Sequence, residues 1–147
     1  MQKLSETGRY TVSDRVLQAV QAEFSCGFCT DAQGAQTIGK TFRESRYLLD
    51  THTAVACTVL DAYRAGTGDQ TLTVVESTAS PFKFCASVLD ALGVTEHAPG
   101  TGVLGQLTAE TGRPAPKPLA SLAGKPVRFD QVTDRGDMRA VVTEFLR

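Results

Sequence analysis

Three places in this sequence combine residue types that do chemistry. The first is Thr71 to Phe84, TLTVVESTASPFKF. Thr71, Thr73, Val74 and Val75 favour a strand, and the hydroxyls of Ser77, Thr78 and Ser80 follow where that run breaks. Ser80 suits a helix cap, and Pro81 suits the first helical position, where its missing N–H would have no partner. Phe84, Val88 and Leu92 then fall on one helical face, and Gly93 closes it. Hydroxyls delivered onto a helix start can hold a small polar group, because the backbone N–H groups point at it. The same residues also make an ordinary capped turn between a strand and a helix.

The second place is Tyr47 to Ala56, YLLDTHTAVA. Asp50 stands at the start of a helix opening near Thr51 or Thr53, where a carboxylate is favoured by about 0.3–1 kcal/mol. The third is the CGFC of Cys26 and Cys29, a spacing that serves thiol–disulfide exchange or half a zinc site. Cys57 and Cys85 stand alone, and neither His52 nor His97 has a ligand-like neighbour in sequence, so no metal site is expected. A redox CxxC should follow a strand and open a helix. Here it follows a helical pattern, and it reads as small residues in a connection.

The elements that must position these residues follow from the apolar pattern. Residues 1 to 11 read as irregular. Val16, Leu17, Val20 and Phe24 make a stripe for an amphipathic helix over 14–24, opened by Ser13. Asp31 opens a second helix reaching Tyr47, with Ala35, Ile38 and Phe42 inward; Gly34 and Gly39 weaken it by up to ~1 kcal/mol each. A third helix uses Ala54, Val55, Val59, Leu60 and Tyr63, and 65–70 is a turn. The strand over about 71–77 and its helix come next. A short helix over 103–111, an extended proline run, a possible edge strand over 126–129 and a helix over 134–146 complete the chain. The expectation is a helix-rich α/β fold with about five helices and one central strand, organised as a single domain over 1–147.

Composition narrows the function. The 147 residues suffice for one core, and a net charge of −1 gives no reason to expect nucleic acid or a membrane surface as partner. No apolar run approaches the roughly 20 residues of a membrane-spanning helix, and the first residues lack a signal-peptide apolar segment. A cytoplasmic location is expected. One strand cannot make a sheet, so the strand at 71–77 needs neighbours from elsewhere or from a second copy.

YLLDTHTAVA closely resembles the YL-(I/L)-D-P-H-T-A-V-A/G segment of threonine synthases. VVESTASPFKF, with Ala91, Leu92 and Gly93 after its helix, resembles that family's STA(S/H)P-x-KF…ALG segment, and the order and spacing also match. Thr51 stands where the family has proline, and CGFC replaces a segment of small residues.

The resemblance implies the C-terminal portion of a fold type II pyridoxal 5′-phosphate (PLP) enzyme. Such an enzyme makes L-threonine and phosphate from O-phospho-L-homoserine and water. It also implies that the Schiff-base lysine and the glycine-rich phosphate loop lie upstream. None of Lys3, Lys40, Lys83, Lys117 and Lys125 occupies the lysine motif, so no catalytic residue is assigned and no PLP is expected on this chain alone. Motif matching gives Thr78 the place of the hydroxyl at the cofactor's pyridine nitrogen, with Ser77 beside it and Ser80 and Lys83 as nearby candidates. Asp50, His52 and Thr53 become structural residues near the site. The implied partners are the remainder of the synthase chain and a small-molecule substrate. A stand-alone binding module that self-associates through the central strand is the alternative, and a thiol redox or metal protein built on Cys26 and Cys29, with or without Cys57 or Cys85, is a second.

Overall fold

The computed structural model describes residues 2–146; Met1 and Arg147 lie outside the described residues. Eight α-helices follow in order: α1 (Gln2–Thr7), α2 (Asp14–Glu23), α3 (Asp31–Ser45), α4 (Thr51–Thr67), α5 (Cys85–Ala91), α6 (Gly102–Thr111), α7 (Lys117–Ala120) and α8 (Met138–Phe145). Short 3₁₀ turns lie at Pro81–Lys83, Ser121–Gly124 and Arg135–Asp137. The chain forms two compact units, Met1–His97 and Ala98–Arg147.

Among the described residues there is no β-strand. This overturns the α/β expectation and the count of about five helices. Neither the central strand over 71–77 nor the edge strand over 126–129 is formed. The reason is physical: a strand exists through its ladder, and no second segment here supplies the partner N–H and C=O groups. Leu72 and Val74 are accordingly 92 % and 86 % exposed. Residues 2–7, expected to be irregular, are helical.

The first unit is built on α3, which packs against both α4 and α5. Its core is Ile38 and Phe42 from α3, Leu49 and Ala54 around the start of α4, and Phe82, Cys85, Val88 and Leu89 around α5. Thr30 caps α3 with a full capping box, its hydroxyl accepting from Gln33 N–H while the Gln33 side chain accepts from Thr30 N–H. The cap is therefore Thr30, one residue before the expected Asp31. The helix stops at Ser45, short of Tyr47, because Arg46 turns left-handed (φ 58°) and lays its guanidinium 4.3 Å from the Phe42 ring centre. Across the α3–α4 seam the Thr37 and Thr58 hydroxyls lie 2.7 Å apart. Thr58 gives its proton to Ala54 C=O, so Thr37 is the donor across the seam.

The amphipathic α2 forms where its pattern places it, but Val16, Leu17 and Val20 face solvent. Gly93 does end the α5 region: its N–H and that of Val94 satisfy the carbonyls of Asp90 and Leu89 in a Schellman closure. In the second unit Leu107 and Thr111 of α6 are buried, and Phe129 meets Phe145 of α8 edge-on at 6.5 Å between ring centres.

Gly39 has a role that propensity alone hides. A Cβ there would lie 2.6 Å from the Ala91 carbonyl oxygen, so the glycine lets α3 and α5 approach closely. Gly39→Ala is expected to lose about 1–3 kcal/mol by overpacking, more than the ~1 kcal/mol that alanine gains in helix propensity. Gly105→Ala, in open space on α6, is expected to gain up to ~1 kcal/mol. Urea midpoints of the two variants check this, and a Gly39→Ala variant as stable as the parent would remove the packing explanation.

Candidate functional site

The two sequence segments singled out above meet in space through Asp50. It is the N-cap of α4, 1 % exposed, and its Oδ1 accepts from the backbone N–H groups of His52 (2.9 Å) and Thr53 (3.3 Å). The Thr53 hydroxyl donates to Oδ2. Ser77, 27 residues away, completes the set: its Oγ lies 3.1 Å from Thr53 Oγ1 and 3.5 Å from Asp50 Oδ2. A helix cap thus becomes a clasp that holds the turn after residue 76 against the first turn of α4.

Burial alone would raise the Asp50 carboxyl, since desolvation disfavours charge. The Thr53 hydroxyl, the His52 and Thr53 N–H groups and the nearby His52 ring outweigh it, so its pKa is lowered and the group is held as carboxylate. The His52 Nδ1 lies 3.5 Å from Oδ1, while its ring, largely exposed, stacks obliquely on Phe84 at 5.0 Å between centres.

The four residues matched to the cofactor wall have different surroundings. Ser77 is engaged with Asp50 and Thr53. Ser80 caps the 3₁₀ turn at Pro81–Lys83, its Oγ accepting from Phe82 N–H at 3.3 Å. Sequence reading placed that cap on an α-helix; a 3₁₀ turn comes first, and α5 starts only at Cys85. Lys83 lays its ammonium over the Phe84 ring at 5.9 Å. Thr78 is exposed beside a bend at Ala79, and among the described residues no hydrogen bond engages its hydroxyl. The clasp joins Ser77 to Asp50 and Thr53 but leaves Ser80 and Lys83 outside it.

The other end of the segment is also fastened to α4, which sequence reading missed. Arg64 donates to Thr71 C=O (3.0 Å) and Thr73 Oγ1 (3.2 Å), and Asp69 Oδ1 accepts from Thr71 N–H at 2.8 Å. From the Asp50 cap to Arg64 is about 20 Å of helix at roughly 1.5 Å per residue. The six residue steps from Thr71 to Ser77 span about 20 Å when fully extended, at roughly 3.3 Å each, so the segment can run alongside α4. Arg64 in the last turn of α4 and the Asp-x-Thr after it were the available signals.

CGFC lies in the connection between α2 and the Thr30 cap of α3, where the sequence reading placed it, and no strand precedes it among the described residues. Among the described residues, no three His, Cys, Asp or Glu side chains gather as a metal site. No described helix is long and apolar enough to cross a membrane.

Comparison with known proteins fits the same residues. The family model "Threonine synthase, C-terminal" matches residues 53–143, and the chain belongs to that family. It is 30 % identical over 95 residues to human "Threonine synthase-like 1", covering 64 % of this chain and 12 % of that protein. The mouse counterpart is 34 % identical over 82 residues, covering 55 % and 10 %. A PLP-bound threonine synthase from Brucella melitensis superimposes with a TM-score of 0.56 at 33 % identity, over 77 % of this chain and 23 % of that one. The chain therefore spans a small part of the length of the proteins it matches. The match connects this chain to the PLP-enzyme fold that the resemblance implied.

The lowered Asp50 pKa fixes a sign. A carboxyl with a folded pKa below its unfolded value of about 3.9 stabilises fully above that pH, and the stabilisation is lost as pH falls through the folded pKa. Asp50→Asn is therefore expected to lose about 1–3 kcal/mol at pH 7, and less as the pH drops below about 3.9. Urea unfolding of both proteins at pH 7 and pH 3 measures the difference; an equal loss at both pH values would remove the carboxylate from the account.

Proposed function

We propose that this chain is the C-terminal portion of a cytoplasmic PLP-dependent threonine synthase. In this reading it contributes a wall of the cofactor site to an enzyme that turns O-phospho-L-homoserine and water into L-threonine and phosphate. The observation that carries the reading is the contrast within the Ser77–Thr78–Ser80 turn. Ser77 and Ser80 have their hydroxyls engaged in holding the turn, while Thr78 is exposed and its hydroxyl has no hydrogen-bond partner among the described residues.

Bound PLP supplies a ring that accepts electrons from the amino acid attached to it. The residues here fit one side of that group. A neutral Thr78 hydroxyl meets a pyridine nitrogen without forcing it to stay protonated, as a carboxylate would. Asp50 and Thr53 hold Ser77, and through it the position of Thr78. Lys83, directed over Phe84, can offer charge to an anion at the same turn. None of the five lysines matches the cofactor lysine, so the chain acts together with the remainder of a synthase. The drawn-out 72–76 segment is the natural joint, because it offers its backbone groups and the Leu72 and Val74 side chains to a neighbouring strand. Those two exposed side chains also favour a second reading, in which the same segment pairs with another copy of this chain and no catalysis follows.

The two readings separate experimentally. Alone, the chain is expected to give no borohydride-fixed PLP adduct by intact mass and no phosphate release from O-phosphohomoserine. Combined with a polypeptide supplying the rest of the synthase fold, it is expected to yield activity. Thr78→Val should then lower that activity about 10-fold, the loss of roughly one hydrogen bond, while Thr78→Ser keeps it. A stoichiometric adduct on a lysine of the isolated chain, with phosphate release, overturns the reading. A stable dimer broken by Val74→Asp, with no activity on combination, favours the self-associating module.

A further inference from the structure

The CGFC loop has no part in the clasp or in the cofactor wall. Its two sulfurs sit in unlike surroundings. Cys26 is exposed, whereas Cys29 is half-buried and lines a cleft of about 460 Å³ together with Asp31, Ile38, Val55 and Asp90. One glycine shapes the loop. A Cβ on Gly27 would come within 2.8 Å of Val59 Cγ1, so this glycine lets the loop lie directly on α4. The Cys29 sulfur lies against the first turns of α3, 3.9 Å from the Cβ position of Gly34, an ordinary van der Waals contact. The loop is thus seated at its middle, with one sulfur outward and the other held against α3.

The other two cysteines are protected. Cys85 is buried and donates to Phe82 C=O at 3.2 Å. Burial raises its thiol, and burial together with Asp61 and Asp50 raises that of Cys57, so both are kept from the reactive thiolate form.

We propose that Cys26 and Cys29 form a reversible thiol–disulfide modification site that exchanges with a small-molecule disulfide such as oxidised glutathione. The Cys26 thiolate attacks one glutathione sulfur, and the S–S bond breaks. The first glutathione leaves with the electron pair and takes up a proton. Cys29, as thiolate, then attacks the Cys26 sulfur of the mixed disulfide and expels the second glutathione, which is protonated in turn. Two protein thiols are oxidised to one disulfide, one glutathione disulfide is reduced to two thiols, and the two protons end on glutathione. Excess reduced glutathione reverses the sequence. The bridge would close directly before the Thr30 cap, at the edge of the cleft.

The test uses the full chain with oxidised glutathione, followed by alkylation, intact mass and peptide mapping. The expected product is about 2 Da lighter than the parent before alkylation, one disulfide having replaced two thiols; alkylated in denaturant it has a Cys26–Cys29 link and carries alkyl groups on Cys57 and Cys85 alone. Cys29→Ser should stop at one glutathione on Cys26. Cys26→Ser should react at least about 10-fold more slowly, because the exposed sulfur is gone. Dithiothreitol should restore all four thiols. A persistent glutathione adduct on wild-type Cys26, a link involving Cys57 or Cys85, equal rates for the two serine variants, or no reaction would each overturn the assignment. The two variants change a loop outside the core, and their circular dichroism should match that of the parent.

Discussion

The buried carboxylate of Asp50 is the constraint on which the site depends. A charge at 1 % exposure is tolerated only if fully hydrogen-bonded, and here two backbone N–H groups and two hydroxyls share the task. Both backbone donors come from groups left open at the start of α4, so the helix is capped and the charge is satisfied at once. Because one of the hydroxyls belongs to Ser77, the cap also determines where the chain re-enters after a long excursion from α4. The position of Thr78 follows from Ser77, and that of the 3₁₀ turn from Ser80.

Around this clasp the packing is economical. α3 is the shared surface for α4 and α5, and Gly39 sets how close α5 can come. The buried apolar set of the first unit comes from these three helices and the residues that flank them. Meanwhile the stripe of α2 and the side chains of Leu72 and Val74 stay in contact with water. That is more apolar exposure than scattered surface residues account for, and it is how protein surfaces that meet other protein look.

How much of this could be read from sequence varied with the range of the interaction that decides each feature. Helix positions set by local caps were legible: Asp50 for α4, the apolar stripe for α2, Gly93 behind α5. Ends moved where a single backbone angle decided them, as at left-handed Arg46, or at Gly68, which lets α4 run on to Thr67 through the expected turn. The strand at 71–77 failed because β-propensity describes fitness for a pleated surface and cannot supply the neighbouring strand. Thr78 and Ser77 were singled out by motif, whereas the reason Ser77 differs from Thr78 is a contact across 27 residues that spacing does not reveal. The Arg64 tie to Thr71 and Thr73 was closer in sequence and still unread, since arginine at a helix end is usually a surface charge.

A segment drawn out between two fixed points has a further property. Proteases bind their substrates as extended chain with free backbone groups, and exposed, unpaired stretches are where nicking concentrates. Between the Arg64 tie and the Asp50 clasp, residues 72–76 offer such a stretch outside any helix, with little of the unfolding that a helical site would first require. Pairing with a neighbouring strand would bury the same backbone groups and remove them from a protease's reach. Protection of this one stretch from a protease would therefore report directly on whether its backbone is paired.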